Sequence, residues 1–163
     1  MKENKKRWNK YGKNTCYFKP DSLNRGLVGE ILHRFERKGL KIIGMKMVHL
    51  SDDLIGQHYF HLKDKPFFPQ LKRFMQSAPS ILVAIEGVNA INVVRNLVGV
   101  TKGYEAQAGT IRGDYSLSGQ CNVVHASDSQ VSSDIEIARF FRDEELFSYE
   151  KIDLDFLYAM DEM

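Results

Sequence analysis

The sequence predicts an α/β fold of the α+β kind, an antiparallel sheet covered by helices. Three observations predict it. Apolar runs of strand length recur along the chain, amphipathic runs at helical spacing alternate with them, and 163 residues suit one compact domain with its own core. With 43% hydrophobic and 27% charged residues, the composition excludes disordered and fibrous classes. No apolar stretch approaches the roughly 20 residues of a spanning helix, and the charged start has no apolar segment behind it, so neither membrane insertion nor secretion is expected. Cys16 and Cys121 are too few for a disulfide scaffold or a zinc site and point to a reducing, cytoplasmic setting.

Residues 1–13 carry Lys2, Lys5, Lys6, Arg7, Lys10 and Lys13 against a single Glu3. This basic extension is read as a frayed, solvated tail rather than a nucleic-acid arm, and residues 14–163 as a single domain. A first strand, 14–18, ends at Lys19-Pro20-Asp21, where proline stops it. Leu27, Val28, Ile31, Leu32 and Phe35 share one face of a helix closed by Gly39. Residues 40–50 read as a second strand. Ser51 and Asp52 offer an N-cap to a short helix, and Pro66 is expected to open another bearing Phe67, Phe68, Leu71, Phe74 and Met75, so that the two form an inserted helical hairpin. Residues 80–85 make a continuous apolar third strand of the sheet interior. Asn89 is expected to cap a helix of Val93, Val94, Leu97 and Val98, ended by Gly99. A long polar loop spans 100–114, a fourth strand ends at His125, and Ser129 caps a last helix with Val131, Ile135 and Ala138. The order matches a ferredoxin-like βαββαβ arrangement, with helices expected on one face of the sheet.

Asn122-Val123-Val124-His125-Ala126-Ser127-Asp128-Ser129 brings a lone histidine to the end of an apolar run, followed by residues able to hydrogen-bond an imidazole. Upstream, Gly109-Thr110-Ile111-Arg112-Gly113-Asp114 holds a glycine-flanked arginine suited to clamping phosphate. There is no Gly-x-x-x-x-Gly-Lys-Ser/Thr loop, so phosphates would be held by side chains such as Lys19, Arg95 and Arg112. A nucleophilic imidazole beside a fixed guanidinium is a means of moving a phosphoryl group. His58 and His61 stand one helical turn apart without an apparent third metal ligand and read as structural. Asp114 and Asp128 read as loop and cap residues.

These two segments, with Lys19-Pro20-Asp21, Arg25-Gly26-Leu27-Val28-Gly29-Glu30-Ile31, Arg34-Phe35-Glu36, His58-Tyr59, Lys63-Asp64-Lys65-Pro66-Phe67-Phe68 and Glu86-Gly87, resemble the nucleoside diphosphate kinase family in order and spacing over about 15–149. The resemblance implies Mg²⁺-dependent, ping-pong transfer of a γ-phosphoryl group from a nucleoside triphosphate to a diphosphate through a phosphohistidine on His125. It implies that Glu136 holds the imidazole and that Ser127 completes the chain. It places Lys19, Tyr59, Arg95, Thr101 and Arg112 at the phosphates, Lys19 and Asn122 at the ribose, and Phe67 under the base, where stacking tolerates any base. Magnesium would be held mainly by substrate phosphates rather than by the protein. The long loop becomes a nucleotide-site loop, and a homo-oligomer, hexamer or tetramer, is expected. The chain departs from the pattern at Gly119, where an apolar residue usually covers the second face of the base, at Gly103 in place of a frequent proline, and at Ser22 and Ala126 in place of glycines. A catalytically silent nucleotide-binding regulatory relative is the alternative reading, against which the intact set Lys19, Arg95, Arg112, Asn122, His125 and Glu136 argues. An RNA-binding module ranks last, because no strand carries the aromatic pattern of such folds.

Overall fold

A computed structural model describes residues 11–159, 161 and 162. The basic cluster at 1–10, expected to be frayed, lies outside the described residues. Strand β1 (Tyr11–Phe18) begins three residues before the expected boundary, so Lys13 belongs to the sheet. Helix α1 (Pro20–Asn24) follows with proline in its first turn, then α2 (Val28–Arg37), whose Ile31 and Phe35 are fully buried. Gly39, at φ +93°, takes the left-handed conformation after the helix that glycine adopts at least cost. Strand β2 (Lys41–Val48) leads to α3 (Asp52–His58), capped as expected by Ser51, whose hydroxyl accepts from the Leu54 N–H at 3.2 Å.

Helix α4 (Phe68–Met75) starts later than expected. Pro69, not Pro66, occupies its first turn, because proline suits the position where no helical N–H bond is lost. Strand β3 (Ser80–Val88) runs past the apolar stretch through Glu86 and Gly87. Pairing with β1 and β2 along its whole length carries those less apolar residues into the ladder. Asn89 precedes α5 (Ala90–Val98) but does not cap it. Its backbone is left-handed, and its side chain accepts from Asn92 instead of a helix N–H. The polar loop is largely ordered, by a 3₁₀ turn at Gly103–Glu105 and by α6 (Ile111–Tyr115), capped by Thr110. Strand β4 (Val124–Ala126), α7 (Gln130–Phe140) and the short α8 (Leu154–Leu157) complete the chain.

The sheet has the order β2-β3-β1-β4, every neighbouring pair antiparallel. Helices cover both faces, not one. Cys16, Phe18, Ile81, Val83 and Ile85 pack toward Ile31, Phe35 and Val94 of α2 and α5, while Tyr17, Leu82 and Ala84 pack toward Ile55, Leu71, Met75 and Phe140 of α3, α4 and α7. The inserted hairpin and the last helix supply the second layer, so the central strands are apolar at successive positions rather than alternate ones. Tyr17 pairs with His125, and residues directly opposite in an antiparallel ladder share a face. That register turns the histidine toward the hairpin side. Among the described residues no helix is long and apolar enough to cross a membrane.

Candidate active site

His125 is delivered by a strained turn. Val123 has φ +59°, rare for a β-branched residue, and the Val124 N–H donates to the Asn122 carbonyl at 2.7 Å, closing a three-residue turn. Such a conformation costs about 1–3 kcal/mol and persists only where its surroundings impose it. Here the segment after β1 does so: Asp21 Oδ2 accepts from the Val123 N–H at 3.0 Å, and the Lys19 N–H donates to the Val123 carbonyl at 2.9 Å. The Lys-Pro-Asp and Asn-Val-Val-His segments, a hundred residues apart in sequence, thus brace each other.

The imidazole is held at one nitrogen. His125 Nε2 lies 3.2 and 3.1 Å from the two Glu136 carboxylate oxygens, and the Ser127 hydroxyl donates to Glu136 Oε2 at 2.7 Å. Ser127 is itself fixed, its N–H donating to Asn14 Oδ1 at 3.1 Å. A carboxylate only accepts, so Nε2 carries the proton and the lone pair resides on Nδ1. Burial lowers the His125 pKa below its ordinary 6.5; Glu136 opposes that shift, while Lys19 and Arg112 reinforce it. The ring is therefore neutral at pH 7. His58, at the end of α3, sets its ring nearly perpendicular to that of His125 at 4.9 Å. Its Nδ1 lies 3.5 Å from Arg139 Nη1, and burial, with His125 and Arg139, drives its pKa down to about 2.

Cations converge on the same cleft, which encloses about 910 Å³. Lys19, almost completely buried, donates to Asn122 Oδ1 at 2.5 Å and the Gln120 carbonyl at 3.3 Å. Burial and the nearby Arg112 lower its pKa to about 8. Arg112 spreads its guanidinium over three backbone carbonyls, those of Val124 at 2.7 Å, Gly99 at 3.0 Å and Asn122 at 3.4 Å. Burial, then repulsion from Arg95, lowers its pKa to about 10. Cations crowded until they depress one another mark a place for a polyanion. Asn122 is oriented by donating to the carbonyls of Thr101 at 2.7 Å and Gly119 at 2.9 Å. Phe67 keeps 46% of its surface exposed at the cleft wall.

Two departures at glycines have different physical grounds. A Cβ at Gly103 would collide with the Ser116 carbonyl, so no side chain fits there. A Cβ at Gly119 would meet only Lys102 Cγ at 3.6 Å, which leaves that wall of the cleft open.

The expected residues Lys19, Tyr59, Phe67, Arg95, Thr101, Arg112, Asn122, His125 and Glu136 all line the cleft, and Ser127 stands behind Glu136. His58, read from the sequence as structural, lies beside the central histidine, a placement its spacing did not reveal. It clusters with His125 and Glu136, rather than with His61, because the fold brings the end of α3 over β4. Sequence reasoning also missed Tyr17 and Arg139. Nothing in their spacing marked them, since β1 reads as a core strand and α7 shows Arg139 as an ordinary polar position. Asp114 is structural, as expected: it accepts from the Gly109 N–H and pairs with Arg34 at 2.7 Å.

Donor atoms of His58, His125 and Glu136 lie within 4.8 Å of one another, close enough to share a metal. Arg139 at His58 and the positive field of Lys19 and Arg112 at His125 oppose a cation there. Among the described residues, the carboxylates lining the cleft are Asp128 and Glu136. Glu136 is engaged by His125 and Ser127, and hydrogen bonds from Ser132 and Ser129 help hold the Asp128 carboxyl below its ordinary range. That donor set suits Mg²⁺ arriving on phosphates, not a resident all-protein site.

A neutral, carboxylate-held imidazole beside clustered cations is equipped for phosphoryl transfer through a histidine. The comparisons with known proteins identify the family. A family model for nucleoside diphosphate kinase matches residues 13–146. A nucleoside diphosphate kinase of Parabacteroides distasonis is 54% identical over 150 residues, 92% of this chain and 98% of its own length. One from Archaeoglobus fulgidus is 50% identical over 140 residues, 86% and 93% of the two chains. Among solved structures, the halophilic nucleoside diphosphate kinase from Halobacterium salinarum in complex with CDP superposes with a TM-score of 0.88 at 38% identity, over 90% of this chain and 98% of that one. The chain belongs to the nucleoside diphosphate kinase family, whose members are phosphotransferases.

Proposed function

We propose that His125 is the phosphoryl acceptor of this nucleoside diphosphate kinase. The observation that carries the reading is the contact of Nε2 with Glu136, braced by Ser127, which leaves the Nδ1 lone pair available in a cleft lined by cations. Nδ1 attacks the γ-phosphorus of a nucleoside triphosphate such as ATP, and the bond to the β–γ bridging oxygen breaks as the diphosphate leaves. The incoming diphosphate then attacks the same phosphorus with a terminal oxygen. The N–P bond breaks, and the electron pair returns to Nδ1. Glu136 stabilises the positive charge that grows on the ring in the first step and fades in the second. Arg95, Arg112, Tyr59 and Thr101 neutralise and orient the phosphates, where positioning and electrostatics carry most of the catalysis. Lys19 and Asn122 hold the ribose hydroxyls, and Phe67 stacks on the base. Mg²⁺ would be held mainly by the substrate phosphates rather than by the protein, and would supply charge neutralisation there.

The chain is proposed to work in the cytoplasm, which its two free cysteines suit, and to assemble as a homo-oligomer, a hexamer or a tetramer. Exposed Met45 and Met47 on the edge strand β2 support such an interface. A silent relative would lack part of the machinery; the convergence of Lys19, Arg95, Arg112, Asn122, His125 and Glu136 on one cleft supports the active reading. The test is to treat the protein with ATP and Mg²⁺, remove nucleotide and weigh it. A gain of one phosphate that GDP discharges, absent in His125→Ala, is expected. A wild-type protein that takes up no phosphate would defeat the reading.

A further inference from the structure

Tyr17 has no part in the scheme above, yet its ring stacks on the imidazole at the centre of that scheme. It is fully buried on β1, the ladder places it opposite His125, and the two rings stack 4.5 Å apart with 15° between their planes. Its own plane is set from two sides, by the edge of His58 at 5.2 Å and by Phe140 at 6.2 Å. Its hydroxyl hydrogen-bonds the Tyr59 hydroxyl. Burial pushes the phenol pKa well above 10, so that hydroxyl stays protonated at any working pH.

A hydrogen bond at Nε2 locates that atom but only weakly restrains rotation of the ring about Cβ–Cγ, because Nε2 lies close to that axis. That rotation swings Nδ1, which lies farther from the axis. A second ring pressed flat against the imidazole removes this freedom, because offset stacking holds the two planes parallel. Nucleophilic displacement at phosphorus needs the lone pair in line with the leaving oxygen, so the rotation matters to the rate.

We propose that Tyr17 is a positioning residue for phosphoryl transfer: its ring sets the plane of the His125 imidazole and hence the direction of the Nδ1 lone pair, and its hydroxyl ties that plane to Tyr59. The proposal rests on His125 being the phosphoryl acceptor. Tyr17 does not line the cleft, so its ring touches the histidine and not the nucleotide. Its removal slows the chemical step without weakening substrate binding.

The test compares wild type with Tyr17→Phe, Tyr17→Leu and Tyr17→Met by rapid-quench phosphorylation at saturating ATP and Mg²⁺, with ATP affinity measured separately. Leucine and methionine, which fill space without a flat face, are expected to slow phosphoenzyme formation by about 10- to 100-fold, the scale of a misaligned nucleophile, with ATP affinity nearly unchanged. Phenylalanine keeps the stack and is expected to restore most of the rate. Failure of wild type to form a phosphoenzyme on His125 strikes the acceptor reading itself. A wild type that does form it, alongside a folded Tyr17→Leu or Tyr17→Met protein equally fast, overturns the role of Tyr17 alone. Should neither aliphatic variant fold, NMR of wild type decides: the ring protons of His125 must be shifted upfield by the Tyr17 ring current relative to exposed His61, and their absence from that region overturns the proposal.

Discussion

Replacing Glu136 with glutamine isolates the contribution of its charge. The side chain keeps its size, and its amide carbonyl can still accept from Nε2, but the charge that faces the imidazolium is gone. Both partners are largely buried, with 24% of His125 and 11% of Glu136 side-chain surface exposed. At such a site a hydrogen bond to a charged group contributes about 1.5–3 kcal/mol. With about 1.4 kcal/mol per tenfold in rate, and the bond needed most as the ring becomes charged, kcat is expected to fall by roughly 10- to 100-fold. The pH profile supplies an independent check. Burial lowers the His125 pKa and Glu136 opposes that shift, so the acid limb of wild-type activity lies below pH 6.5 and Glu136→Gln moves it lower still. Initial rates of ATP-to-GDP transfer from pH 4.5 to 8 measure both effects. An unchanged plateau, or a limb that moves upward, would refute the assignment of Glu136 as the imidazole's partner.

Arg112→Ala is expected to lower kcat by roughly 10²–10³, as for loss of one preorganised charge-stabilising donor. It also lowers the thermal midpoint, because three backbone carbonyls, two of them buried, lose their donor; a near-normal rate would place the guanidinium away from the phosphates. Phe67→Ala removes a stacking face that contributes about 1–3 kcal/mol per base, so KM for nucleotide is expected to rise about tenfold or more with kcat little changed; an unaltered KM counts against stacking there. Stability has its own pH dependence. His58 titrates near 2 in the fold and 6.5 when unfolded, so below pH 6.5 the unfolded chain binds more protons and the fold loses stability as pH falls. Urea melts between pH 6.5 and 5, where most carboxylates remain ionised, should show that loss, and His58→Leu should reduce its slope.

The elements were legible wherever local chemistry decides them: the strands as apolar runs, α2 by its buried stripe and Gly39, α3 and α7 by Ser51 and Ser129. What the sequence withheld depends on tertiary partners. Glu86 and Gly87 lack strand character and join β3 because the ladder with β1 continues through them. Pro66 and Pro69 are locally equivalent as helix openers, and only the packing of Leu71 and Met75 selects the later start. The second helical layer was hidden because a strand buried on both faces does not announce which helices cover it. At the site, the positions named from the resemblance line one cleft, with Ser127 behind Glu136. The ring packing around His125 was not readable, since it arises from the pairing of β1 with β4 and from the end of α3 crossing above them.

The most direct test is the identity of the phosphorylated nitrogen. With Nε2 occupied by Glu136, the account predicts that ³¹P NMR of the denatured phosphoenzyme, compared with synthetic standards, shows phosphohistidine substituted at Nδ1 of His125. Phosphate on Nε2, or on any other residue, would contradict it.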